Sequence, residues 1–225
     1  MTSYNIKTDR AYLPPRAELI PIPALYSKMK DHSHQWSTCY PAWNLQYYVC
    51  LASLKTDRAN VIVETGTNHG CSAALLAQTL VETELPGHVH TFEIDPERAN
   101  KAQKLFNELN LSKRITLHLG DSIQMLPKVI TSDVLVDFAF IDANHATEAC
   151  LAETELVLPN VIAGKGKLYF DNTWCGPVDV ALCELKRKYG TAGWVDFPNC
   201  SRNPNGQAVW QPWQRLEPIA WHKPV

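Results

Sequence analysis

The sequence predicts an α/β fold: a Rossmann-like, doubly wound, mostly parallel seven-stranded sheet with a C-terminal antiparallel hairpin. The first observation is that short apolar segments alternate with helical segments from residue 60 onward, as in parallel sheets with crossover helices. The second is that four of the apolar segments end in an acid, namely Glu64, Glu93, Asp142 and Asp171. The third is that 225 residues with 45% hydrophobic content can build one sizeable core.

The elements follow from periodicity and from turn residues. Strands are predicted at 61–63, 89–93, 115–118, 135–141 and 167–170, with a terminal hairpin at 194–197 and 207–210. Helices are predicted at 71–82, 96–109, 122–127, 146–158 and 177–189, and a further helix is expected before Asp57. The second of these has the clearest signals, because Asp95 can cap it and Pro96 suits its first position.

The two ends of the chain differ from this pattern. Residues 1–59 are rich in Tyr, Trp and Pro, and we interpret them as a helical lead-in or cap before a main domain over 60–225. The tail carries Trp213, Pro218 and Trp221, which fits a surface-wrapping segment or the contact of a homodimer.

Charge and cysteine content narrow the class of protein. A net charge of -2 without a basic block gives no electrostatic footprint for nucleic acid or for an anionic membrane. The seven cysteines show no zinc or disulfide spacing, and no secretory signal or transmembrane stretch is visible. We therefore expect a cytoplasmic protein whose partner is a small molecule.

The turn after the first strand predicts a cofactor site. Gly66 and Gly70 allow a tight turn before a helix whose first N–H groups are unpaired. Asn68 stands where a dinucleotide fingerprint needs glycine, and no P-loop lysine follows Gly70, which disfavours NAD, FAD and ATP. Glu64 would repel an anion, whereas the cationic S-adenosylmethionine fits. The alternative is a turn that only joins strand to helix.

Other strand ends carry further candidates, since ligands of open parallel sheets bind there. Glu93 can accept hydrogen bonds from ribose hydroxyls. Asp121 and Ser122 lie where a carboxylate could meet an adenine amine, although both are equally natural helix caps.

Asp142, Asp171 and Asn172 supply three oxygen ligands from two strand ends, a partial site for Mg²⁺. The alternative is that they cap helices or face solvent. His145, three residues after Asp142, could act as a general base or could simply cap or pack.

Four segments together resemble the class I S-adenosylmethionine-dependent methyltransferases, and specifically the catechol and caffeoyl-CoA type O-methyltransferases. They occur in that family's order within roughly residues 60–175. The segments are Glu64-x-Gly66-x-x-x-Gly70-x-Ser72, Phe92-Glu93-Ile94-Asp95-Pro96, Phe140-Ile141-Asp142 and Asp171-Asn172.

The resemblance implies a role for each matching position. It places Glu64, Gly66 and Ser72, with Thr67 of the same turn, around the methionine part of the cofactor. It places Glu93 on the ribose and Asp121 with Ser122 near adenine. It makes Asp142, Asp171 and Asn172 the ligands of a divalent cation, with Mg²⁺ expected.

One departure from the family pattern affects the chemistry. Catechol-type enzymes carry a lysine base where this chain has His145, an arrangement similar to a broader group of sugar and antibiotic O-methyltransferases. We expect an O-methyltransferase acting on a small-molecule hydroxyl, with Asp142 and His145 at the reacting group. The alternatives are a metal-independent methyltransferase with His145 as base, and a non-catalytic protein that keeps the fold for binding.

Overall fold

The computed structural model describes residues 42–173, 175–197 and 206–212. In chain order, the elements are α1 (Ala42–Leu51), β1 (Asn60–Thr65), α2 (Cys71–Glu82), β2 (Gly87–Glu93), α3 (Pro96–Glu108), β3 (Ile115–Leu119), α4 (Ser122–Val129), β4 (Phe138–Ile141), α5 (Thr147–Val157), a 3₁₀ turn (Leu158–Asn160), β5 (Lys167–Asp171), α6 (Gly176–Tyr189), β6 (Trp194–Phe197) and β7 (Gln207–Trp210).

The strands form one seven-stranded sheet in the order β3-β2-β1-β4-β5-β7-β6. Strands β1 to β5 are parallel, and β7 runs antiparallel to both β5 and β6. The predicted fold class is therefore confirmed. The chain builds outward from β1 to β3 and then restarts at β4, which makes the gap between β1 and β4 a topological switch point where ligands of such sheets bind.

Helices cover both faces of the sheet. Successive residues of β1 point to opposite faces, so each contacts a different set of helices. Ile62 packs with the buried residues of α1, α2 and α3, whereas Val63 packs with those of α4, α5 and α6. Helix α3 begins as predicted, since the Asp95 side chain accepts from the main-chain N–H of both Glu97 and Arg98.

Several element boundaries differ from the prediction. Strand β1 continues through Glu64 and Thr65, because both pair with β2 and β4. Strand β4 is shorter, since Val136 makes only an isolated bridge. Helix α4 continues past Pro127 to Val129, because one proline in a last turn removes a single hydrogen bond.

The predicted lead-in is represented here by α1. Its residues Trp43, Leu45 and Tyr47 belong to the same core cluster as α2 and α3. The domain boundary near residue 59 stays a prediction, and the tail beyond residue 212 lies outside the described residues. Within the described ranges, no helix combines the length and apolar character needed to cross a membrane.

Candidate functional site

A cavity of about 360 Å³ lies at the carboxyl ends of the strands, at the switch point. Seven of the predicted site residues line it: Gly66, Glu93, Asp121, Ser122, Asp142, His145 and Asn172. The other five lie in the surrounding structure and do not line this cavity: Glu64, Thr67, Gly70, Ser72 and Asp171.

Gly66 brings the turn after β1 against the end of β4. Its φ is +82°, and a Cβ atom there would lie 2.4 Å from the Asp142 carbonyl oxygen. The main-chain N–H groups of Gly66 and Thr67 both donate to the Phe92 carbonyl at 3.0 Å. Only glycine therefore fits between these two strand ends.

Gly70 has a different role from Gly66. Its φ is +87°, and a Cβ atom would lie 2.7 Å from the Phe106 ring of α3. It stands at the N-cap of α2 and lets that helix start close to α3. In the structure, the second glycine of the turn therefore serves helix packing.

Glu64 is a fully buried acid beneath the turn. Its Oε2 accepts from the Thr91 hydroxyl, while its Oε1 is buried and has no hydrogen-bond partner in the described part of the chain. Burial raises the pKa of Glu64 to about 8, opposed in part by the nearby hydroxyls of Ser72 and Thr91. A buried carboxylate oxygen without a donor fits a cationic ligand, because that ligand would supply the missing donor.

Glu93 holds the turn and faces the cavity at once. Its Oε2 accepts from the Asn68 N–H at 2.6 Å, and its Oε1 accepts from the Asp95 N–H at 2.9 Å. Asp121 caps α4 by accepting from the Ile123 N–H at 3.0 Å. Each acid thus has a structural hydrogen bond in addition to its place in the cavity lining.

Three side chains of the cavity lining form a triangle of polar atoms that lie within hydrogen-bonding distance of one another. Asp142 Oδ1 lies 3.2 Å from His145 Nε2 and 3.2 Å from Asn172 Nδ2, and the last two atoms are 3.1 Å apart. Asn172 has a φ of 55°, a left-handed conformation that asparagine adopts more readily than most other non-glycine residues.

The Asp142–His145 contact affects the pKa of both groups. Burial raises the pKa of Asp142 to about 7, helped by the charge of Asp171 and opposed by His145 and Asn172. The hydrogen bond with Asp142 raises the pKa of His145, against the effect of its own burial. Because its pKa is raised, the His145 imidazole is a stronger proton acceptor than a free one.

Asp171 lies beside this triangle and is held by two hydrogen bonds. Its Oδ1 accepts from the Asn172 N–H at 2.7 Å and from Gln207 Nε2 at 2.6 Å. Within the described ranges, no cluster of three or more His, Cys, Asp or Glu side chains could hold a metal ion. Asp142, Asp171 and Asn172 are two acids and an amide, hard oxygen donors of the kind that suit Mg²⁺. The metal site stays a prediction.

Sequence reasoning missed Glu153, Thr65 and Gln207. Glu153 lines the cavity from α5 and is 1% exposed. A signal for it existed, since Cys150, Thr154 and Val157 mark the buried stripe of a helix on which Glu153 is an acid. No comparable signal marks Gln207, which reaches Asp171 only through the antiparallel pairing of β5 with β7.

Acidic side chains outnumber basic ones in the cavity lining. Four carboxyl side chains line it, namely Glu93, Asp121, Asp142 and Glu153, whereas the lining bases are Arg98 and His145. A lining of this composition attracts a cationic ligand and disfavours one that carries phosphates.

Comparisons with known proteins agree with this geometry. Residues 63–173 match the family model of a methyltransferase domain. The chain is 29% identical over 85 residues to a protein-L-isoaspartate O-methyltransferase of Staphylothermus marinus. That match spans only 37% of this chain and 38% of the curated relative.

Several solved structures share the fold. The O-methyltransferase TomG of Streptomyces achromogenes, in complex with SAM, has a TM-score of 0.65 and 17% identity, covering 92% of this chain and 94% of that one. An O-methyltransferase of Bacillus cereus, in complex with SAH, has a TM-score of 0.64 and 19% identity, covering 90% of this chain and 94% of that one. A Staphylococcus aureus protein provisionally assigned as a caffeoyl-CoA O-methyltransferase has a TM-score of 0.64 and 16% identity, covering 86% of this chain and 92% of that one.

Proposed function

We propose that this chain is a class I S-adenosylmethionine-dependent methyltransferase that methylates a hydroxyl group of a small molecule. One observation carries this proposal: the acids, the glycine turn and the Asp142–His145–Asn172 triangle line a single cavity. Candidate cofactor and acceptor groups therefore border one space, as methyl transfer requires.

The cofactor end of the cavity contains the turn after β1 and the acids around it. Gly66 and Thr67 would approach the methionine part, with Glu64 and Ser72 beneath, Glu93 at the ribose and Asp121 with Ser122 at adenine. The buried Oε1 of Glu64 supports this assignment, because it needs a hydrogen-bond donor that the described residues do not supply.

The acceptor end provides the proton transfer. S-adenosylmethionine supplies a methyl group on a sulfonium, from which an oxygen nucleophile displaces S-adenosylhomocysteine. The ring nitrogen of His145 that does not face Asp142, Nδ1, takes the proton that the hydroxyl loses. Asp142 Oδ1, 3.2 Å from Nε2, stabilises the resulting imidazolium by accepting from that nitrogen. The transfer is direct and needs no covalent enzyme intermediate.

A divalent cation would assist at the same end. Asp142, Asp171 and Asn172 would hold it, and its Lewis acidity would lower the pKa of a coordinated hydroxyl. The hydrogen bonds from Gln207 and from the Asn172 N–H fix the Asp171 carboxylate for such a role.

The first test is cofactor choice. Calorimetry should show binding of S-adenosylmethionine and S-adenosylhomocysteine and no binding of NAD or ATP. A panel of catechols and other hydroxyl compounds, followed by mass spectrometry, should then yield a product 14 Da heavier. Binding of NAD or ATP in place of the sulfonium nucleoside would overturn the proposal.

The second test concerns the metal. We expect Asp171→Asn to lose at least about 100-fold in turnover while the affinity for S-adenosylhomocysteine stays within about threefold, because the metal serves the acceptor. Asp179→Asn, an exposed acid on α6, is the matched control and should change neither quantity. Equal loss of turnover and of cofactor affinity in Asp171→Asn would contradict this role.

Chelation separates the two mechanisms that the site supports. Full activity after chelation would leave His145 as the base of a metal-independent methyltransferase. Cofactor binding without methyl transfer to any acceptor would favour a non-catalytic binding protein. A cytoplasmic location, a homodimer, and the absence of nucleic-acid and membrane partners remain part of the proposal.

A further inference from the structure

Glu153 is a buried carboxylate that the chemistry described above does not use. It lies on the inner face of α5, is 1% exposed and lines the cavity. Among the described residues it forms no ion pair, so no basic side chain compensates for the burial of this carboxylate. Buried acids are rare without such a partner.

Its two oxygens join the two sides of the cavity. Oε1 accepts from the Ser122 hydroxyl at the start of α4, and Oε2 accepts from the Thr65 hydroxyl at the end of β1, at 2.9 Å. Thr65 Oγ1 in turn accepts from the Asp142 N–H at 3.1 Å. One carboxylate thus connects the adenine side, through Ser122, with the acceptor side, through Asp142.

The direction of these hydrogen bonds fixes what Ser122 can offer a ligand. A hydroxyl has one hydrogen, and Ser122 donates its own to Glu153. Its oxygen therefore presents only lone pairs to the cavity. If the carboxylate became an amide, one of the two hydroxyls would lose its acceptor and would have to turn its hydrogen elsewhere.

We propose that Glu153 is a positioning residue of the cofactor site, which orients the Ser122 hydroxyl and, through Thr65, the main chain of Asp142. The inference rests on the proposed function, because the ligand it positions is the sulfonium nucleoside or its demethylated form. Glu153 acts through Ser122 and Thr65, and its own carboxylate takes no part in methyl transfer.

The test compares shape with hydrogen bonding at Thr65. Thr65→Val keeps the volume and removes the hydroxyl, whereas Thr65→Ser keeps the hydroxyl and removes a methyl group. Calorimetry with S-adenosylhomocysteine should show affinity about tenfold weaker for Thr65→Val and for Glu153→Gln. Thr65→Ser should stay within about twofold of the wild type.

Thr154→Val is the matched control on the same helix. Thr154 is also fully buried, but its hydroxyl donates only to the Cys150 carbonyl, at 2.7 Å. Thermal unfolding should show destabilisation of both variants, larger for Thr65→Val, because the Thr65 hydroxyl has two hydrogen bonds and the Thr154 hydroxyl has one. Only Thr65→Val should lose cofactor affinity, a difference that a merely structural role would not produce.

Each outcome decides a different question. Equal affinity in Thr65→Val and Thr154→Val would overturn the role of Glu153 and leave the proposed function standing. Failure of the wild type to bind S-adenosylhomocysteine would instead overturn the proposed function. If Glu153→Gln does not fold, the Thr65 pair still decides.

Discussion

The two ends of the parallel strands, which we call the amino edge and the carboxyl edge of the sheet, bury charged groups in different ways. At the amino ends of the strands, the Asp137 carboxylate accepts from the Arg58 guanidinium and from the Val61 N–H, and Lys167 Nζ donates to the carbonyls of Ala52 and Lys165. At the carboxyl ends, Glu64 and Glu153 are buried without an ion pair among the described residues, and Glu64 Oε1 accepts no hydrogen bond there.

This difference separates structural charges from functional ones. Burial raises the pKa of both Asp137 and Glu64, and hydrogen bonds oppose that rise at both. At Asp137 the charge of Arg58 opposes it as well. The amino edge therefore satisfies its own charges. At the carboxyl edge, the buried carboxyl group of Glu64 has no cationic partner among the described residues, and a cationic ligand would stabilise its ionised form.

The largest expected effect comes from filling the close approach at the carboxyl edge. Gly66→Ala would place a Cβ atom 2.4 Å from the Asp142 carbonyl, so the strand ends must separate. We expect a loss of about 3 kcal/mol in unfolding free energy and of at least about 100-fold in affinity for S-adenosylhomocysteine. Urea unfolding and calorimetry measure the two quantities.

Gly190→Ala is the control for backbone strain alone. Gly190 has a φ of +88°, and an added Cβ atom would meet nothing within 4 Å. It should lose stability but keep its cofactor affinity. A Gly66→Ala variant that binds as well as Gly190→Ala would show that the contact with Asp142 does not shape the site.

A smaller effect should come from removing a charge at the amino edge. Asp137→Asn keeps the shape but weakens the bond to Arg58, whose side chain is 28% exposed. We expect a loss of about 2 kcal/mol in unfolding free energy with unchanged cofactor affinity. Urea unfolding tests the first expectation, and calorimetry tests the second. A variant as stable as the wild type would show that this pair does not stabilise the fold.

The matching change at the carboxyl edge should act in the opposite direction. Glu64→Gln removes an unpaired buried charge, so near pH 8 the apo protein should gain about 1 kcal/mol in unfolding free energy. Its affinity for S-adenosylmethionine should fall by about tenfold, because the cationic ligand loses its partner. A destabilised variant with intact affinity would make Glu64 a structural acid like Asp137.

The smallest expected effect is the pH dependence of the difference in stability between Glu64→Gln and the wild type. The pKa of Glu64 is about 8 in the folded protein and 4.5 as its ordinary value, so between these values the folded state binds more protons. The contribution of Glu64 to the unfolding free energy of the wild type is fully present below pH 4.5 and is lost as pH rises through 8. The advantage of Glu64→Gln, measured by urea unfolding, should grow from pH 6 to 8 and level off above 9. A constant difference would contradict the raised pKa.

Local sequence signals predicted most of the fold. Asp95 and Pro96 mark the start of α3 because a cap and a fixed φ act within one turn. The hairpin of β6 and β7 was predicted from its strand pattern and is confirmed. The ends of β4 and α4 were predicted less accurately, because pairing partners and tertiary contacts determine where these elements end.

The candidate site was predictable where residues follow strands. Glu93, Asp142 and Asn172 lie at strand ends, and parallel strands bring such ends to one edge. Glu153 and Gln207 come from a helix face and from an antiparallel strand, and their partners Ser122 and Asp171 are 31 and 36 residues away. No local pattern encodes those pairings.

The sequence by itself determined the order of strands and helices, the turn after β1 and the acids that follow the strands at the cavity. Those features depend on hydrophobic periodicity and backbone conformation, which act between near neighbours in the chain. Only the tertiary structure decided which carboxylates are paired, which remain without a donor, and which glycine touches Asp142. Such contacts join distant segments, so they exist only once the strands and helices have packed together.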